Sequence, residues 1–61
     1  MSNLTTKELS FIEDQLKAEQ TAICKCKMYS SQTSDAALRA KIDEIAHKHQ
    51  GHYNKLISLL G

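Results

Sequence analysis

Apolar side chains recur along this chain at alternating steps of three and four residues, and they do so twice. Leu9, Ile12, Leu16, Ile23 and Cys26 mark the first run, with Glu19 and Ser30 falling in step among them. Leu38, Ile42, Ile45, Leu56 and Leu59 mark the second, with His49 and His52 in step. That period is one face of an α-helix packed against another helix. The chain holds no proline, and its two glycines are Gly51 and Gly61, so breakers are scarce and helix is favoured throughout. Thr5-Thr-Lys-Glu8 fits a capping box, in which the Thr5 hydroxyl and the Glu8 carboxylate each satisfy a free backbone N–H. The spacing therefore predicts a first helix over about 6–30, a turn at 31–34 in the one cluster of turn-forming residues, and a second helix over about 35–60. Ser34 is the expected N-cap of the second helix, with Asp35 favouring the positive end of its dipole. Each helix would run roughly 25 residues, or about 37 Å.

The expected architecture is all-α: a single antiparallel two-helix hairpin that dimerises into a four-helix bundle. Two helices share one interface, and each carries more apolar surface than that interface covers. Phe11, Ala18, Ala22 and Tyr29 form a stripe beside the first seam, and Ala46, Tyr53, Ile57 and Leu60 lie beside the second. A second copy of the hairpin is the simplest cover. The seam positions assigned to that assembly are Leu9, Ile12, Leu16, Ile23, Leu38, Ile42, Ile45 and Leu56. A helix-rich partner of different sequence is the competing occupant. Gly51 falls on the outward side of the second helix, either as a tolerated surface glycine or as a point of close approach by a neighbour.

Composition sharpens this by exclusion. At 61 residues the chain is one small domain, of a size that usually needs a staple, a metal or a partner. Cys24 and Cys26 cannot supply the staple, because residues two apart on a helix point roughly 200° away from each other. They are expected as free thiols in a reducing compartment. The formal net charge is +1 with both signs interspersed, which gives nucleic-acid binding no support. Lys7, Lys17, Lys25, Arg39, Lys48 and Lys55 read as solvated surface, while Lys27 and Lys41 lie nearer the seam edge. No apolar run is long enough for a membrane span. The N-terminal Met1-Ser-Asn-Leu-Thr-Thr lacks the pattern of a secretory signal, so residence inside the cell is expected.

Chemistry is hinted at in one layer. Folding the chain at its polar middle brings Glu19 level with His49 and Leu16 level with His52. His49 and His52 are three apart, so both imidazoles lean to one side of the helix toward Glu19. A charge in such a seam is paired or bound to metal. One expectation is a hydrogen bond from an imidazole to Glu19, a polar layer that sets register and partner orientation. The competing expectation is a transition metal (zinc, iron, copper or nickel) held by Glu19, His49 and His52. Gln20 and Tyr53 flank the layer as candidate hydrogen-bonding supports. Glu44-Ile-Ala-His47 matches a di-iron bundle motif in letters only. On a helical wheel Glu44 falls roughly 140° and His47 roughly 160° from His49, facing solvent. No serine or cysteine has a base and an orienting partner, so no catalytic residues are assigned and no enzyme is expected.

The residues also resemble a known family. Leu4-Thr-Thr-Lys-Glu-Leu-Ser-Phe-Ile-Glu-Asp-Gln-Leu-Lys-Ala-Glu19, followed by Lys25-Cys-Lys-Met-Tyr29, resembles the opening helix of Coat F-type spore coat proteins. The stretch Ile45-Ala-His-Lys-His-Gln-Gly-His-Tyr-Asn-Lys-Leu56 is similar to that family's closing helix with its His-x-x-His-Tyr element. The resemblance spans about residues 4–60 and departs from the family at Gly51 and at the cysteines. It implies a ferritin-like helical hairpin from an endospore-forming bacterium. The resemblance relates the chain to components of the spore coat. Joined to the dimer and the absence of catalytic residues read above, it makes the expected role a non-enzymatic, homodimeric structural or assembly protein of the coat type, with other coat proteins as further partners. The alternative function is a metal-binding ferritin-like protein with the Glu/His site in its core.

Overall fold

The computed structural model describes residues 3–61. Met1 and Ser2, which open the stretch read for a secretion signal, lie outside the described residues. Two helices account for nearly all of the rest: α1, Thr6–Gln32, and α2, Ala36–Ser58. They pack on each other as a hairpin. Its principal dimensions are 47 × 14 × 10 Å, a flat rod two helices wide and one helix thick.

Local chemistry sets the ends. Thr5 caps α1 in an extended conformation, its hydroxyl accepting from the Glu8 N–H at 3.0 Å while the Thr5 N–H donates to Glu8 Oε1 at 2.9 Å. The expected capping box is formed in full. That second contact also holds the Glu8 carboxyl below the usual carboxylate value, chiefly through the Thr5 backbone N–H. α1 continues two residues past the expected end, and the connection falls at 33–35 instead of 31–34. The cap of α2 is Asp35, not Ser34: its Oδ1 accepts from the N–H groups of Ala37 and Leu38 at 3.0 and 3.1 Å. A carboxylate is the stronger acceptor for those free donors and adds charge at the positive end of the helix. The α2 helix stops at Ser58, two residues early, because Leu59 and Leu60 donate to Leu56 and Ile57 in tight three-residue turns.

Arg39 is exposed, as expected, and it also bonds: its Nε donates to the Ser30 carbonyl at 3.1 Å, and its terminal nitrogen donates to the Thr33 carbonyl. The last turn of α1 carries no basic residue of its own. Arg39 reaches across from α2 to serve carbonyls that have no partner within α1.

Between the helices Ile12 and Ile23 are buried, and so is Ser30, whose hydroxyl donates to Asp43 Oδ1 at 2.7 Å. Leu16, Cys26, Ile42 and Leu56 are half-buried at the same contact. The face that α2 turns to α1 differs from the expected seam. Ile42, His49 and Leu56 keep their places, but Ala46, Tyr53 and Leu60 are half-buried where Ile45, His52 and Leu59 were expected. Apolar residues flank the row of Ile42, His49 and Leu56 on both sides, so periodicity does not choose between them. Ala46 is shorter than Ile45 and lets the helices approach on its side.

The other flank stays open to solvent. Leu38, Ile45 and Leu59 are 49%, 47% and 50% exposed, and Phe11 on α1 is 60% exposed. Leu4, Phe11, Ile12, Leu56 and Leu59 line one groove at the end away from the turn. A Cβ at Gly51 would meet nothing within 4 Å, so the hairpin itself does not require glycine there. No helix among the described residues is long and apolar enough to cross a membrane.

Candidate functional site

Glu19 projects from the middle of α1 and meets His49 and His52 from the middle of α2. His49 sits in the row that α2 turns to α1, so its ring is directed across the interface and only 31% of its side chain is exposed. His52, one turn further on, belongs to the open flank and is 59% exposed. The Glu19 side chain is 15% exposed. Three polar groups therefore span the interface from its interior to its edge.

The two imidazoles converge on one oxygen. His49 Nδ1 lies 2.6 Å from Glu19 Oε1, a short hydrogen bond of charge-assisted length in which the ring N–H donates. His52 Nδ1 lies 3.5 Å from the same oxygen, within ion-pair range when the ring is protonated. The two rings stand edge to face, 5.9 Å apart at an interplanar angle of 88°. The hydrogen bond from His49 pulls the Glu19 carboxyl below its ordinary value. Partial burial opposes that shift, and the nearby imidazoles add to it. No buried side-chain polar atom among the described residues lacks a hydrogen-bond partner.

Glu19, His49 and His52 thus come together as their spacing predicts, and each offers one ligand atom within 4.8 Å of the other two. Gln20 and Tyr53, each the chain neighbour of a member of this group, line a groove with Ile23, Cys24, Lys27 and Gln50. Glu44 and His47 are exposed, on the side their helical angle requires. Cys24 is an exposed free thiol, and Cys26 a half-buried one at the seam edge.

Three polar contacts near the turn lie beyond the sequence reading: Ser30 with Asp43, and Arg39 with the Ser30 and Thr33 carbonyls. Ser30 occupies a seam position, and a hydroxyl buried there demands a partner. That demand was the available signal for Asp43. The Arg39 contacts carried no comparable signal, because a long flexible side chain can reach many carbonyls.

Comparison with known proteins adds one relative. The uncharacterized protein YuzM of Bacillus subtilis (strain 168) is 27% identical over 59 residues, covering 97% of this chain and 73% of that protein. No protein-family model matches the chain. No solved structure matches it at a significant level.

Proposed function

We propose that the protein is a non-enzymatic assembly subunit of the spore-coat type, working as a homodimer in which two hairpins form a four-helix bundle. The observation that carries this reading is surface area. A compact monomer of this chain's 6.9 kDa exposes about 4,000 Å², whereas the hairpin exposes 4756 Å². The excess is close to the roughly 800 Å² that each partner buries in a standard protein interface. It is also apolar where an interface would need it, along Phe11, Leu38, Ile45 and Leu59. Two buried isoleucines make a slender core for a chain of this length. A second copy laid on the open flank turns the two-helix layer into a bundle with an interior.

In this reading the Glu19–His49 hydrogen bond aligns the helices, and the open flank carries the pairing. The ferritin-like cast of the bundle and the coat assignment rest on the resemblance around Glu19 and His49-x-x-His52-Tyr53. Other coat proteins are the further partners it implies.

Light scattering and sedimentation on the purified chain test the pairing. The expected mass is twice that of the chain, and Ile45→Lys, which places a charge on the open flank, returns it to one chain with helix content kept. A wild-type monomer at millimolar concentration overturns the dimer. The coat assignment has its own test in the fractionation of sporulating cells. Recovery in the coat extract supports it, and recovery only from the cytosol overturns it while leaving the dimer standing.

A further inference from the structure

The layer holds one feature that alignment of helices does not use. Glu19 Oε1 already takes a hydrogen bond from His49, yet His52 directs its Nδ1 at the same oxygen from 3.5 Å, too long for a hydrogen bond. In a tetrahedral site with zinc about 2.0–2.1 Å from nitrogen and oxygen, neighbouring ligand atoms stand roughly 3.4 Å apart. The His52–Glu19 separation already matches that edge. The His49–Glu19 separation of 2.6 Å is a hydrogen bond and must open by about 0.8 Å. A rotation of the glutamate or of the His49 ring opens this edge, and the exposed His52 swings in to close the edge between the two imidazoles, the three ligand atoms now lying within 4.8 Å of one another.

We propose that Glu19 Oε1, His49 Nδ1 and His52 Nδ1 form a site for a divalent transition metal of the zinc class. Two imidazoles and one carboxylate suit such an ion in softness and in charge, and three protein ligands leave a fourth position for water. Binding replaces the proton that His49 and Glu19 share. His49 must present a bare Nδ1, so its proton moves to Nε2 or leaves, and affinity falls as pH falls. All three ligands come from one chain, so the site is complete in a single hairpin and does not rest on the dimer proposed above.

The test uses the full-length chain without a histidine tag and Zn²⁺ as the probe, titrated against a chelator of known affinity. Wild type is expected to take one ion per chain and to melt at a higher temperature with zinc than without. Co²⁺ in its place should give the visible absorption of a low-coordinate nitrogen and oxygen site. Removing a ligand costs at least what removing its hydrogen-bonded support costs, so His52→Ala should weaken binding about tenfold or more. His47→Ala, an exposed histidine on the other side of α2, should leave affinity unchanged. Helix content of metal-free His52→Ala is expected to equal wild type, because at 3.5 Å from Glu19 that ring makes no hydrogen bond that holds the hairpin. Equal affinity in wild type, His52→Ala and His47→Ala overturns the site, as does the absence of stoichiometric binding. A mass that doubles only when zinc is added overturns the single-chain ligand set, whereas an unchanged mass supports it.

Discussion

Glu8 shows how much one side chain does at a helix start. Its carboxylate accepts the Thr5 N–H, and that contact lowers its proton affinity in the folded state. The folded value lies below the ordinary 4.5, so the native state binds this proton less readily than the unfolded chain does. The resulting stabilisation is whole above the unfolded value and is lost as pH falls through the folded one. Glu8→Gln keeps an acceptor but cannot titrate. Wild type should therefore melt above Glu8→Gln at neutral pH, and the gap should close on acidification. Melting midpoints of the two proteins across the acid range check this, and a gap that widens would contradict the sign. The capping box was legible in the sequence because its partners lie three residues apart. The Ser34-to-Asp35 shift was not: both are good caps, and the choice turns on where α1 ends.

At the scale of elements, the helices were readable and their mutual rotation was not. The row of Ile42, His49 and Leu56 has apolar neighbours on each side, so a wheel places the flank of the seam only to within one residue, about 100° around the helix. Packing decided in favour of Ala46, Tyr53 and Leu60. Glu19, His49 and His52 survived that rotation because His49 lies in the shared row and His52 is long enough to reach from its edge. The turn is held by Arg39, which binds the Ser30 and Thr33 carbonyls and so ties α2 to the end of α1. Hydrogen bonds to a charged group contribute about 1.5–3 kcal/mol when well formed, less where solvent reaches them. Arg39→Ala is expected to cost about 1–2 kcal/mol. Amide hydrogen exchange should quicken in the last turn of α1 and change little at the Thr5 cap. Urea denaturation and exchange together check it.

For the whole molecule, thinness is the governing fact. A layer 10 Å thick buries only Ile12, Ile23 and Ser30 among the described residues. Its hydrophobic stabilisation therefore depends on what lies against its open flank. If that is a second copy, folding and association are one equilibrium, and the melting temperature rises with protein concentration. Ile45→Lys should melt lower, at a temperature that does not depend on concentration. Calorimetry over a broad concentration range separates these outcomes. The sequence pointed to this need through its surplus of apolar positions. Which flank is left bare became visible only once Leu38, Ile45 and Leu59 were placed in solvent.

The Ser30–Asp43 bond has a consequence beyond its own strength. Two histidines one turn apart offer Glu19 two resting places, like adjacent teeth on a ratchet. Sliding α2 by one turn would bring His52 to where His49 now sits. That slip would carry Asp43 away from Ser30 and strand a buried hydroxyl. A connection of three residues between the helices leaves no slack to absorb it. The serine near the turn acts as a pawl, and the histidine pair far from it reads only one tooth.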